Sequence, residues 1–165
     1  MAEPRASRQR QADLALRAAR PAEAQALTEL ALIAKAHWGY PASFMALCRA
    51  ALTIDEAMIR CQLFRLAEGT EGRLLGFYGF EPASDGDIGL SHLFVRPESI
   101  GAGIGRALWM DAVAMARRRR HRRLIVISDP HAAGFYRHMG AEPAGSAPSE
   151  IDPGRVLPMF RVQLT

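Results

Sequence analysis

Three glycines at alternate positions, Gly101, Gly103 and Gly105, fall in Ile100-Gly101-Ala102-Gly103-Ile104-Gly105, between a strand-like run and a helix-like one. Glycines so spaced let the backbone approach a ligand and turn several N–H groups to one side. The start of the following helix adds a partial positive charge, so an anion such as a pyrophosphate fits there. A tight corner would use the same residues, and on the loop alone both readings stand. The spacing excludes two phosphate loops of other design. A dinucleotide-binding fingerprint needs a further glycine where Arg106 stands. A Walker loop needs Lys and then Ser or Thr, whereas Arg106 and Ala107 follow Gly105.

These residues need elements to position them. Leu14, Leu16 and Ala18 alternate with Ala15, Arg17 and Ala19, which predicts a first strand. Pro21 suits the first turn of a helix, and Leu27, Leu30, Ala31, Ala34 and Trp38 follow at helical spacing until Gly39-Tyr40-Pro41 stops them. A second helix is expected over 42–51, with a short helical turn over 55–59. The period then changes. Cys61, Leu63 and Ala67, then Leu74 to Phe80, then Ile88 to Val95 read as three strands, and their short glycine-bearing connections make them an antiparallel meander. Gly103 opens a helix that buries Ile104, Leu108, Ala112 and Met115. Leu124-Ile125-Val126-Ile127 reads as a central strand, His131 to Met139 as a helix closed by Gly140, and Phe160, Val162 and Leu164 as a last strand. The step from Ile88–Val95 through a helix to Leu124–Ile127 is a parallel crossover, expected to be right-handed. The fold class is α/β (α+β), a mixed central sheet of about six to seven strands with helices on both faces.

A chain of 165 residues, 49% hydrophobic and 23% charged, has the composition of one globular domain rather than of a disordered segment. That domain is expected over 14–165, with 1–13 as a polar, mobile tail. Cys48 and Cys61 are too few for a disulfide framework or a zinc cluster, so no metal site is expected. No apolar run approaches a membrane span and the N-terminus lacks the hydrophobic stretch of a signal peptide, so the expected location is cytoplasmic. The net charge of +4 is local. Arg117, Arg118, Arg119, Arg120, Arg122 and Arg123 supply six charges; without them the 21 basic residues fall to 15 against 17 acidic. The pI of 9.7 therefore describes one segment, and nucleic acid is not the expected partner.

Context strengthens the phosphate reading. Leu93-Phe94-Val95-Arg96-Pro97 precedes the loop, and Asp129-Pro130-His131-Ala132-Ala133-Gly134-Phe135-Tyr136-Arg137-His138-Met139-Gly140-Ala141 follows one strand later. Here the sequence resembles the GNAT superfamily of N-acetyltransferases, in the form of its acetyl-CoA loop and of its later helix with Phe-Tyr and a closing glycine. The element order matches over 14–165 and the specific motifs over 88–141. The resemblance implies acetyl-CoA as co-substrate, held by Leu93, Phe94 and Val95, by Gly101, Ala102, Gly103, Ile104, Gly105 and Arg106, and by Asp129 and Phe135. Two positions depart from the family pattern: Ile100 stands where Gln or Arg is usual, and Asp129 where Asn is frequent. Phosphate binding would then rest on backbone N–H groups and Arg106.

Acetyl transfer to an amine needs a neutral amine, a stabilised oxyanion and a tolerable leaving thiolate. Deprotonating an amine of pKa about 10.4 at pH 7 costs roughly 4 to 5 kcal/mol, so the base matters more than the acid. Tyr136 matches the tyrosine to which the family assigns protonation of the thiolate; a core tyrosine beside Phe135 is the plainer reading. His92 is the best titratable candidate for the base, because its pKa lies near working pH and it sits on the motif strand. It alternates with Leu93 and Val95 and so faces the other side of the sheet, where packing against a helix is the plainer role. The oxyanion donor implied is a backbone N–H near Leu93 to Val95. His37, Trp38 and Tyr40 fall where the family's acceptor wall lies, although Trp38 would serve core packing as well. Tyr78 reads as packing, and the arginine run as a solvated helix end.

Two functions stand at this point. One is an acetyl-CoA-dependent N-acetyltransferase acting directly on a primary amine, with a small molecule favoured as substrate and a homodimer suggested by family habit. The other is a GNAT-like module without turnover that senses acyl-CoA or binds nucleic acid through its arginines.

Overall fold

A computed structural model describes residues 14–165; the tail expected over 1–13 lies outside the described residues. The chain opens with β1 (Ala15–Ala18), α1 (Ala24–Ala36), α2 (Ala42–Leu52) and α3 (Glu56–Cys61). Then come β2 (Phe64–Glu68), β3 (Leu74–Pro82), β4 (Ile88–Val95), α4 (Ile104–Arg118), β5 (Arg123–Ile127), α5 (Ala133–His138), β6 (Glu142–Pro148) and β7 (Val156–Gln163). The seven strands form one sheet in the order β1-β2-β3-β4-β5-β7-β6. All pairs are antiparallel except β4 with β5.

Local chemistry accounts for most boundaries. Gly39 takes φ +83° and ends α1, and Gly140 at φ +85° closes α5. The strand expected from Cys61 is corrected. Asp55 caps a helix, its Oδ1 accepting from the Met58 N–H at 2.8 Å, and that helix runs through Cys61 before β2 begins at Phe64. β6 lies in a stretch where the sequence shows no strand signal. Pro143, Gly145 and Pro148 would break a central ladder, but β6 is an edge strand and one side of it needs no partner. The helix expected from His131 begins as a 3-10 turn over Pro130–Ala132 and becomes α-helical at Ala133.

The sheet carries an apolar layer on each face. On one, α4 and α5 pack Leu108, Trp109, Ala112 and Tyr136 against Tyr78, Leu90, Val126 and Phe160. On the other, Leu27, Leu30 and Ala31 of α1, Cys48 of α2 and Ile59 of α3 cover Phe64, Leu66 and Phe77. Two devices seat α4. Gly76 leaves room for it: a Cβ there would stand 2.7 Å from the Phe94 carbonyl oxygen and 2.9 Å from Leu108 Cδ1. Asp111 of α4 accepts from Arg65 Nε at 2.6 Å and from the buried Tyr78 hydroxyl at 2.7 Å, tying the helix to β2 and β3. Tyr78 is thus a packing residue with its polar end satisfied.

Gly76→Ala should lower the unfolding free energy by about 1–3 kcal/mol, the usual cost of overpacking. Urea denaturation measures it, and a midpoint equal to that of the unsubstituted chain would mean that α4 is not seated this closely.

Candidate active site

β4 and β5 pair over Ile88↔Leu124, Gly89↔Ile125 and Leu90↔Val126, and no further. β4 runs on to Val95 with β3 on one side and no strand on the other. At the parting point the β3 register passes from Gly79↔His92 to Phe80↔Leu90, so Ser91 is the extra residue of a β-bulge. The bulge decides where His92 points. Leu90 packs under α4, and strict alternation would put His92 there too; instead its ring joins Phe64, Phe77 and Phe94 on the α1 face. Register also orients the backbone. The Arg96 N–H donates to the Leu75 carbonyl at 2.8 Å, so alternation sends the N–H groups of Phe94 and His92 to β3 and those of Leu93 and Val95 into the open fork.

The glycine loop stands on the rim of that fork. Gly101 and Gly103 both take φ +85°, where a side chain is strained, although a Cβ at either would touch nothing within 4 Å. Their requirement is conformation, not space. The Ala107 N–H is the first to bond back, to the Gly103 carbonyl at 3.1 Å. The N–H groups of Ile104, Gly105 and Arg106 precede it and have no intrahelical acceptor. Gly105 lets loop, strand and α5 meet, since its Cβ would lie 3.4 Å from Phe135 and 3.6 Å from Val95. Ile100 and Arg106 are exposed.

Tyr136 is buried on α5, its ring 5.4 Å from that of Trp109 and 5.9 Å from that of Phe160. Burial pushes its phenol well above the usual tyrosine range, and the charge of Asp129 adds to the effect. His92 is 6% exposed. Its Nδ1 meets Ser91 Oγ at 2.8 Å and its Nε2 is buried without a partner. Burial pulls its pKa down to about 4, so the imidazole is neutral at pH 7.

His37, Trp38 and Tyr40, expected on the acceptor side, lie around Asp129, two residues past β5. Asp129 Oδ2 accepts from Lys35 Nζ at 2.5 Å and from the Tyr40 hydroxyl at 2.8 Å, and Oδ1 accepts from the His131 N–H at 2.9 Å. Burial alone would raise this carboxyl; those three donors hold it below the usual range. Burial, and then Asp129, push the Tyr40 phenol up to about 12. Arg155, between β6 and β7, donates to the Tyr40 oxygen and stands 3.8 Å from Asp129. Trp38 lies parallel to His131, ring centroids 5.2 Å apart, with His37 beside it. Sequence reasoning missed Ser91, Lys35 and Arg155. Lys35, the sole lysine among twenty arginines, was a visible signal; Arg155, in a Pro-Gly loop, offered none.

The arginine run sits elsewhere. Arg117 to Arg120 are exposed at the far end of α4, about 22 Å of helix from the glycine loop at 1.5 Å per residue. Arg123 pairs with Asp87, Nε to Oδ1 at 3.0 Å, and the Arg122 N–H donates to the Gly86 carbonyl. No helix among the described residues is long and apolar enough to cross a membrane.

The fold is shared with solved N-acetyltransferases. The chain is similar to a GCN5-related N-acetyltransferase from Rhodopseudomonas palustris, with TM-score 0.74 and 21% identity over 92% of this chain and 96% of that one. The PaiA N-acetyltransferase from Thermoplasma acidophilum, in complex with coenzyme A, gives 0.70 and 16% over 91% and 98%. A GNAT family acetyltransferase from Brucella melitensis, in complex with acetyl-CoA, gives 0.65 and 22% over 92% and 88%. At such identities the likeness is one of fold. No curated protein matches the chain in sequence. The family model for the acetyltransferase (GNAT) domain matches residues 55–159, from the cap of α3 into β7. The chain belongs to the GNAT acetyltransferase family, and it is an acyltransferase.

Between pH 6.5 and about 4 the unfolded chain binds a proton at His92 that the folded chain refuses, so stability should fall as pH drops through that window. The full shift is worth about 3 kcal/mol. His92→Phe, which suits the ring cluster, should flatten the fall in chemical denaturation; an unchanged slope would show that His92 is not the acid-sensitive group.

Proposed function

We propose that this chain is an acetyl-CoA-dependent N-acetyltransferase that passes the acetyl group directly to the primary amine of a small molecule. The fork between β4 and β5 carries the reading. Its open edge presents the N–H groups of Leu93 and Val95, and its rim presents those of Ile104, Gly105 and Arg106, which suit an extended amide chain ending in a pyrophosphate. Similar structures solved with coenzyme A and with acetyl-CoA support the same co-substrate. Bound there, acetyl-CoA supplies an activated acyl carbon. The thioester C–S bond breaks, an amide C–N bond forms, and one proton leaves the amine while the thiolate gains one.

The chain's own groups then divide the work. An N–H of Leu93 or Val95 faces the carbonyl oxygen that gains charge. Tyr136 donates a hydrogen bond to the sulfur. Its phenol lies far above a thiol of pKa about 8.5, so full proton transfer runs uphill and solvent completes it. His92, at about 4, is too weak to hold the proton of an amine of pKa about 10.4. It serves as a neutral partner that orients the Ser91 hydroxyl at the apex of the fork, and water carries the proton away. His37, Trp38 and Tyr40 wall the acceptor side. Two free cysteines, one of them buried, suit a reducing cytoplasm.

Calorimetry with acetyl-CoA tests the co-substrate. The unsubstituted chain should bind. Gly103→Glu, which adds charge and backbone strain at the anion site without a clash, should not. Tyr136→Phe should bind normally and lose about 10- to 100-fold in kcat, the worth of one hydrogen bond to a charged group. No binding by the unsubstituted chain, or full binding by Gly103→Glu, would overturn the reading.

A further inference from the structure

The cluster around Asp129 holds one more cation than it uses. Lys35 sits 2.5 Å from Asp129 Oδ2 and neutralises it. Arg155 comes no closer than 3.8 Å to that oxygen, and its one hydrogen bond runs from Nη2 to the Tyr40 oxygen. The carboxylate of Asp152, in the same loop, is spent on the Gly154 N–H at 3.3 Å. Glu150, the loop's other acid, lies near Glu81, whose carboxyl is raised first by burial and then by that neighbouring charge. Neither acid pairs with Arg155 among the described residues. The guanidinium carbon also stands over the rings of Tyr40 and Phe44, 4.9 and 5.0 Å from their centroids. The Tyr40 oxygen holds one end through Nη2, and Nε and Nη1 have no acceptor among the described residues. A partly used fork of this kind is the geometry that a carboxylate accepts bidentately.

Its place in the fold says whose carboxylate. Asp129 lies two residues past β5, on one rim of the fork, while Lys35, Tyr40 and Phe44 come from α1, the segment after it and α2. That is the face opposite α4 and its glycine loop, so the two substrates approach from opposite sides. A molecule entering from the α1 and α2 face would meet Arg155 beside Asp129, just past the end of β5. Beside it, the parallel stack of Trp38 on His131 offers a flat apolar wall.

We infer that Arg155 holds the carboxylate of the acceptor, and that the acceptor class is therefore free amino acids, small skeletons bearing both the amine and a carboxylate. This rests on the acetyltransferase reading above.

The test is thiol release from acetyl-CoA with a panel of free L-amino acids and, for each, its amide, which keeps the amine and removes the charge. Free acids should be favoured over their amides by about 10- to 100-fold in kcat/KM, the usual worth of a charged hydrogen-bonded contact. Arg155→Gln should erase that preference, and Arg155→Lys, which keeps the charge and loses the fork, should restore part of it. Matched melting temperatures would show that the variants fold. Turnover of amides or of simple diamines as efficient as that of the acids would overturn the inference. Should no panel member be turned over, titration of the N-acetylated amino acids followed by tryptophan fluorescence decides. Binding to the unsubstituted chain and not to Arg155→Gln supports the assignment, and no binding refutes it. Acetyl-CoA calorimetry on the same preparations separates this failure from that of the co-substrate reading.

Discussion

β4 and β5 hydrogen-bond over three residue pairs and then separate, and the rest of the site follows from that separation. Backbone groups along an opened strand must find partners, because leaving them dry and unpaired is costly. The protein holds the gap open by fastening each strand to a different layer. Beyond the bulge, β4 stays on β3 and leads through the glycine loop into α4, which Asp111 and the missing side chain at Gly76 bind to the sheet. The end of β5 is fastened the other way, through Asp129 to α1, to Tyr40 and to the loop before β7. Neither strand can close on the other without breaking its own attachments.

The groups nearest the fork are neutral, and the charged ones stand at its edges. Tyr136 and His92 are both buried enough to hold their uncharged forms through neutral pH. In the proposed reaction such groups would act as fixed dipoles rather than as ions. Lys35, Asp129 and Arg155 lie outside that zone, where a partly solvated ion cluster can hold loops in register.

The architecture was largely legible because period and punctuation agree: the alternation in Ile88–Val95, the apolar four at Leu124–Ile127 and the glycine stops at Gly39 and Gly140 each name an element. Two local errors have clear causes. Cys61 continues an apolar pattern, yet a cap at Asp55 draws it into a helix. β6 has the residues of a loop and is a strand only because β7 pairs with it. The glycine loop could be read because its function is written in backbone conformation. The hub at Asp129 could not, since its members are 94 and 115 residues apart in the contacts to Lys35 and between Arg155 and Tyr40. Alternation set His92 opposite Leu93 and Val95, as the structure has it, but its facing away from Leu90 depended on one extra residue, Ser91, and no spacing rule announces a bulge.

Lys35 has a meaning beyond the ion pair that it makes. A thioester acylates unprotonated amines without help, so a protein that works beside one is exposed to modification by its own reagent. Here the sole lysine is sequestered, its ammonium pressed against Asp129 and its side chain 12% accessible. The other twenty long basic side chains are arginines, whose guanidinium groups stay protonated and poorly nucleophilic. The surface thus carries positive charge in a form that acyl donors leave alone.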